Sequence, residues 1–287
     1  MRDSVSAYAA TVAWVALAVS VPVQMAHAQG SFGPYVPTPT VIVDRLLEMG
    51  AVSGKDYLID LGSGDGRIVI TAAKKFGTHG HGIDIQDKLV ALANQNATSE
   101  GVADKVRFVR GDIMEADLSQ ATVITTYLLP STITRLVPKF LAELKPGTRI
   151  VSHDYPINPL TYEKVVSFDV DEKVKISGTK LTVIYLYVIP ARVSGEWNLN
   201  LAPLAATAKP LTVRIDQQPD SLSGIVESAG TRIPLRDLKV SGEEISFAYG
   251  SGATGIVALH GTVKGGEMSG TVISGTSLAK TWSARRK

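Results

Sequence analysis

The chain contains no cysteine. That excludes disulfides, thiolate nucleophiles and cysteine-bound metals, and it fits any compartment. An excess of one charge is also missing: 29 Lys and Arg face 27 Asp and Glu, a formal net charge of +2. No strong field therefore points to nucleic acid or to a membrane surface. The nearest thing to a basic run, Ala284-Arg285-Arg286-Lys287, reads as a solvated tail. A metal-ligand cluster is not visible. His79 and His81 flank Gly80, but a site needs further convergent ligands, so both read as loop histidines, and His260 as an ordinary strand residue.

What is present is length and apolar content. With 287 residues, 45% of them hydrophobic, the chain has room for two domains at roughly 150 residues each. An apolar run at 8–23 is followed by Ala26-His27-Ala28-Gln29, which has the small-x-small form of a cleavage site after Ala28. This is the pattern of a signal peptide, although Arg2 is offset by Asp3. It predicts an exported protein, periplasmic or secreted. The alternatives are an uncleaved membrane anchor over 8–23, at the short end of the ~17–25 residues a span needs, and a start at Met25.

Residues 29–40, QGSFGPYVPTPT, read as a linker. Helix and strand patterns then alternate. Helical spacing occurs at 41–52, 67–77, 86–101 and 137–147, the last with Pro138 near its start and Gly147 past its end. Apolar strands occur at 57–62, 79–85, 106–112, 121–129 and 148–155. Five such strands between helices predict a parallel sheet covered on both faces. Two further β-rich runs on either side of Gly178 predict an antiparallel hairpin at the sheet edge. After Pro190 no helix pattern is found, and closely spaced Gly-rich turns predict a small antiparallel barrel or sandwich over 191–287. Trp197 and Trp282 lie near its two ends and are expected to fill its core where the ends meet. The expected organisation is a signal peptide over 1–28, an α/β domain over 29–190 and a β-rich domain over 191–287.

The most informative stretch is 57–73, YLIDLGSGDGRIVITAA. A strand runs into a turn with glycine at 62, 64 and 66, and then into a helix. Glycine tolerates positive φ and has no Cβ to block close approach, and the helix start offers free N–H groups. Two nucleotide-type ligands suit such a turn. A dinucleotide asks for G-x-G-x-x-G, and here Arg67 stands at the third position while Gly66 comes one residue early. Asp60, at the strand end, would repel a pyrophosphate and would suit a cationic or zwitterionic ligand. Asp84 ends the second strand, where it can take the hydroxyls of a ribose. Asp112 ends the third, where it can accept from an adenine amino group. Three acids at the carboxyl ends of adjacent strands define one crevice.

With these residues, DLGSGDG, GIDIQ and RGDI resemble the motifs of class I S-adenosylmethionine-dependent methyltransferases, over roughly residues 33–190. The resemblance implies a Rossmann-like sheet and S-adenosyl-L-methionine as cofactor. It implies that Asp60, Gly62, Gly64 and Gly66 line the methionine end, that Asp84 binds the ribose, and that Asp112 and Ile113 lie at the adenine. Tyr127 joins the cofactor-binding set. A non-binding α/β domain with an acid-capped turn and a nicotinamide-linked enzyme are the rival readings. PYVPTP, TTYLLP and ELKPGTRIVSHDYPI, with the glycine run, further resemble the lysine methyltransferases of the ATP synthase c-subunit and their bacterial relatives. That narrower resemblance implies a protein lysine as acceptor, with a membrane-associated partner among the possibilities; the balanced charge argues for no nucleic acid. The cleavage site and the C-terminal β domain depart from that group.

Methyl transfer from a sulfonium is an in-line displacement that alignment and desolvation can drive. A lysine acceptor must first lose a proton, against an ordinary pKa near ~10.4. Tyr127 and Pro130, at the end of the fourth strand, only partly resemble an amine-binding Asn-Pro-Pro-aromatic motif. Ser152-His153-Asp154-Tyr155-Pro156 ends the fifth strand. Asp154 or His153 is expected to orient or deprotonate the acceptor, and Tyr35 to lid the pocket. Two other functions fit the same sequence: a small-molecule O- or N-methyltransferase capped by the β domain, and an exported binding protein without turnover.

Overall fold

The computed structural model describes residues 35–202, 211–251, 255–274 and 280–287. The signal-peptide and membrane-anchor readings fall outside the described residues. Among the described residues no helix is long and apolar enough to cross a membrane.

The first half alternates helix and strand: α1 (Thr40–Met49), β1 (Tyr57–Leu61), α2 (Arg67–Phe76), β2 (His79–Asp84), α3 (Asp87–Ser99), β3 (Val106–Arg110), β4 (Val123–Thr126), α4 (Pro130–Glu143), β5 (Arg149–His153), β6 (Lys164–Asp169), α5 (Asp171–Ser177) and β7 (Leu181–Val188). The strands form one sheet in the order β3-β2-β1-β4-β5-β7-β6. The first five are parallel, and β7 runs antiparallel between β5 and β6. This is the Rossmann-like sheet, with an antiparallel edge, that the sequence resemblance implies. Side chains alternate across it, so Leu58 joins a core with Leu46, Val69 and Ala93 on one face, while Ile59 joins Ile124, Leu136 and Phe140 on the other. The central strands β1, β4 and β5 are buried on both faces, whereas the edge strand β3 alternates buried and exposed residues.

Three boundaries differ from the sequence reading. The helix expected at 137–147 starts at Pro130 and carries Pro138 inside it. Pro130 occupies the first helical turn, where its missing N–H has no intrahelical partner to lose. The fourth strand stops at Thr126. Residues 171–177 are helical where a strand was expected. Asp171 and Glu172 favour the positive end of that helix, and Gly178, at φ 76°, closes it.

The second half is all strand: β8 (Gly195–Ala202), β9 (Leu211–Gln217), β10 (Leu222–Ser228), β11 (Thr231–Pro234), β12 (Arg236–Ser241), β13 (Glu244–Ser251), β14 (Gly255–Lys264), β15 (Glu267–Ser274) and β16 (Lys280–Arg286). These nine form one antiparallel sheet in the order β11-β10-β9-β8-β16-β15-β14-β13-β12. Only Leu235 separates the two edge strands, and its N–H reaches Gly224 O of β10 at 2.8 Å. The sheet is therefore a nearly closed, up-and-down barrel. Trp197 and Trp282 are both buried, with indole N–H bonds to Val193 O (2.8 Å) and His260 O (3.0 Å). Gly261 and Gly270 face each other across β14 and β15. A Cβ at Gly261 would come within 2.8 Å of the Trp282 ring, so glycine makes room for the indole.

The barrel meets the α/β sheet at one end. Ala191 N–H donates to Gly242 O at 2.7 Å, and Gly242 packs so closely on Gly147 that a Cβ at Gly242 would lie 3.2 Å from the Gly147 Cα. Arg192 reaches Leu141 O and Ala142 O, and Lys239 pairs with Glu163 at 3.2 Å. All of these α/β residues lie where β5 and β6 begin. The carboxyl ends of the parallel strands, where a ligand of such a sheet binds, are at the other end.

Candidate active site

The turn after β1 is held in left-handed backbone: φ is 78° at Gly62, 54° at Gly64 and 84° at Gly66. A side chain is excluded there on two counts, conformation and space. A Cβ at Gly64 would lie 2.4 Å from the Tyr35 ring, and one at Gly66 2.5 Å from Phe108. The chain's own packing thus demands glycine, in addition to any ligand. Arg67 grips the Asp65 carboxylate and donates to Thr38 O at 2.8 Å. This ties the Tyr35 segment to the turn.

Asp60, Asp65 and Asp84 crowd this turn. Asp60 is 2% exposed and accepts from Thr125 Oγ1 at 2.7 Å. Burial, reinforced by the neighbouring charges of Asp84 and Asp65, lifts its carboxyl to about 7, against the hydrogen bond from Thr125. Asp84 is also buried; its two oxygens accept from Gly64 N and Gln86 N, both at 2.9 Å. Each oxygen keeps a second acceptor site. Asp112 lies two residues beyond β3 and accepts from Met114 N at 2.8 Å. Gly111 N donates to Asp84 O at 3.0 Å, joining this loop to the end of β2. Ile113 is buried with Ile83 and Leu61.

The structure therefore gathers Asp60, Gly62, Gly64, Gly66 and Asp84 around one turn, with Asp112 and Ile113 beside it. Tyr35, grouped in the sequence with the acceptor residues, lies against Gly64. Burial, with Asp65 nearby, raises its hydroxyl.

Tyr127 goes to the other cluster. Its hydroxyl donates to Asp154 Oδ2 at 3.1 Å, and its ring lies 4.0 Å from that of His153 and 6.1 Å from that of Tyr155, centroid to centroid. Burial raises the Tyr127 phenol, and the Asp154 charge raises it further. His153 is 1% exposed, and among the described residues neither ring nitrogen has a hydrogen-bond partner. Burial drives its pKa down to about 4, which the nearby Asp154 opposes and Lys173 assists, so the ring is neutral at pH 7. Asp154 sits at φ 60° in a three-residue turn closed by Tyr155 N–H to His153 O at 2.8 Å. Such backbone is uncommon outside glycine, although Asp tolerates it better than most residues, and Ala51, Ala229 and Asp237 share it. Its carboxylate accepts from Lys173 Nζ at 2.7 Å and from Val183 N at 3.2 Å.

Sequence reasoning missed Lys173, Ser63 and Thr126. Lys173 is 2% exposed, although it lies in a run that alternates charge and aliphatics and reads as an edge strand. Ser63 Oγ, in the glycine turn, and Thr126 Oγ1, at the end of β4, are buried without a hydrogen bond among the described residues. Their positions at strand ends were the available signal.

Residues 60–164 match the ANTKMT methyltransferase domain. A protein-lysine N-methyltransferase of Saccharolobus islandicus is 42% identical over 157 residues, which are 54% of this chain and 93% of that protein. A lysine N-methyltransferase of the ATP synthase c-subunit, from Caenorhabditis elegans, is 34% identical over 130 residues, 43% of this chain and 67% of that protein. An RNA methyltransferase from Salinibacter ruber, crystallised with S-adenosyl-L-homocysteine, has 44% sequence identity and a TM-score of 0.49, covering 55% of this chain and 96% of that one.

Proposed function

The chain belongs to the family of S-adenosylmethionine-dependent protein-lysine N-methyltransferases that shares the ANTKMT methyltransferase domain, and from that premise we propose that it methylates a lysine ε-amine of another protein, received between the ends of β4 and β5. S-adenosyl-L-methionine is the cofactor, and it supplies an electrophilic methyl on a positively charged sulfur. The residues at the glycine turn suit that charge. Asp60 is buried beside the Asp84 carboxylate, with the Arg67-paired Asp65 nearby, and a cationic ligand relieves the repulsion on Asp60. The unbonded hydroxyls of Ser63 and Thr126 offer hydrogen bonds at the same strand ends. Asp84 would hold the ribose hydroxyls, and Asp112 with Ile113 the adenine. Tyr35, lying on Gly64, would cover the methionine end and exclude water.

At the acceptor end, His153 offers a neutral ring, Tyr127 a protonated phenol and Asp154 a carboxylate already in use. None is a strong free base. The reaction is thus best served by orientation of an amine that arrives deprotonated. The observation that carries a protein acceptor is the position of the barrel. It is fixed where β5 and β6 begin, at the end of the sheet away from Asp60, Asp84 and Asp154, and its contacts leave the crevice open to a large partner. A barrel serving as cap over a small substrate would need the opposite placement. The proposal includes export of the mature protein, which rests on the apolar run at 8–23 and the Ala26-His27-Ala28 site.

The test is transfer of tritiated methyl from the cofactor to separated membrane proteins, soluble proteins and RNA of the source cell. Label recovered as methyl-lysine after hydrolysis supports the reading. Label in RNA or in low-mass compounds alone, or cofactor binding without transfer, overturns it.

A further inference from the structure

We propose that Lys173 is a positioning residue that occupies the charge of Asp154, so that the acceptor lysine is received as a free amine. The inference rests on the lysine reading above and deepens it.

A lysine with 2% exposure needs a reason, since burial of an ammonium is costly unless it is paired and hydrogen-bonded. Lys173 has both. Its Nζ bonds Asp154 Oδ1 at 2.7 Å and also donates to Leu181 O. The groups around it come from every neighbouring element. Asp154 and His153 come from the end of β5, His153 Nε2 lying 3.6 Å from Asp154 Oδ1. Tyr127 comes from the end of β4, its hydroxyl on Asp154 Oδ2. Tyr155 stacks beyond Tyr127. Outside the cluster, Lys180 pairs with Asp171 at 2.6 Å on the surface. Among the described residues of the cluster, the only full charges are therefore Asp154 and Lys173, and they cancel.

Consider the same cluster without Lys173. A bare, half-buried carboxylate between the ends of β4 and β5 would bind an incoming ε-ammonium strongly and raise its pKa. A protonated amine has no lone pair and cannot attack. With Lys173 in place, Asp154 no longer selects the charged form, and a second ammonium beside the first is disfavoured, as for lysines activated by a cationic neighbour. The amine loses its proton to solvent. Its nitrogen lone pair forms the N–C bond as the carbon–sulfur bond breaks, the electron pair goes to sulfur, and the methylammonium then releases one proton to water. The left-handed backbone of Asp154 aims its carboxylate at Lys173, which gives the uncommon φ a purpose.

The test uses the full chain, tritiated methyl donor and poly-L-lysine as acceptor, with turnover and KM followed against pH. Binding of S-adenosyl-L-homocysteine, by calorimetry, checks the fold. Lys173→Met is expected to lower kcat about tenfold at pH 7 without raising KM, and to move the profile up by about one pH unit. The double variant Lys173→Met/Asp154→Asn, which leaves no bare charge, is expected to return the profile to the wild-type position, and Lys173→Arg to keep it there. If Lys173→Met binds S-adenosyl-L-homocysteine normally and its profile does not move, the proposal fails while the lysine reading stands. A double variant displaced like Lys173→Met also overturns it. Should Lys173→Met not fold, the other two variants decide, and a displaced profile in either is fatal. If the wild-type protein transfers nothing to poly-L-lysine, the lysine reading falls and takes this inference with it.

Discussion

Asp60 and Thr125 stand opposite each other across β1 and β4, and the Thr125 hydroxyl donates to Asp60 Oδ1 at 2.7 Å. The bond softens the cost of burying a carboxylate without removing it, and the carboxyl still titrates at about 7 instead of its ordinary 3.8. Binding of a cationic cofactor favours the ionised form. Affinity for S-adenosylmethionine should therefore be roughly tenfold weaker at pH 6 than at pH 8, with proton release on binding near pH 7. Calorimetry in buffers of different ionisation enthalpy measures both; a flat profile with no proton release refutes the assignment.

The same shift has a stability sign. A carboxyl whose folded pKa is raised is stabilising when protonated, and that contribution is lost as pH climbs from 3.8 through about 7. Ligand-free Asp60→Asn should therefore melt higher than wild type at pH 8, by an amount corresponding to roughly 2–4 kcal/mol at most, and lose this advantage near pH 4. Melting curves at the two pH values check it.

Asp84→Ala removes the acceptor of Gly64 N and Gln86 N along with the candidate ribose ligand. Cofactor affinity should fall about 30-fold or more, since charge-assisted bonds are worth roughly 1.5–3 kcal/mol each. Titration with S-adenosyl-L-homocysteine reads the effect.

Tyr35→Ala should weaken cofactor binding and slow turnover by about tenfold through loss of the cover over Gly64, whereas Tyr35→Phe keeps the ring and most of the rate. Equal rates in all three proteins would remove Tyr35 from the site. Gly64→Ala should be worse than either, costing about 1–3 kcal/mol for φ alone, before its Cβ displaces the Tyr35 ring.

Trp282→Ala opens the barrel core beside Gly261 and should cost about 3–5 kcal/mol of stability. Cofactor affinity at low temperature should be unchanged, because the barrel touches the α/β sheet at the end remote from Asp60 and Asp84. A parallel loss of affinity would show that the two ends communicate.

The turn holding Gly62, Gly64 and Gly66 was legible because its signals are local: a strand, glycines and a helix follow one another within residues 57–73. Asp84 and Asp112 were legible for the same reason, as acids at the ends of apolar runs. Lys173 was not. Its meaning depends on Asp154, 19 residues away, across a three-residue turn and an antiparallel strand. The start of α4 was misread because proline is tolerated both at the first turn, as Pro130, and here inside the helix at Pro138. The insertion of β7 between β5 and β6 is a matter of topology, and hydrophobic period carries no information about strand order. That Tyr35 lies on Gly64 and Tyr127 on Asp154 was not legible either, because both contacts join residues far apart in the chain.

The anchoring of the barrel at Gly147, Glu163 and the Leu141–Ala142 carbonyls limits what that module can contribute. Fixed to the back of the sheet, it makes no direct contact with Asp60, Asp84 or Asp154 among the described residues. A protein it gripped would be kept nearby, and the gain would be local concentration, governed by the reach of the captured chain around the sheet to the open front.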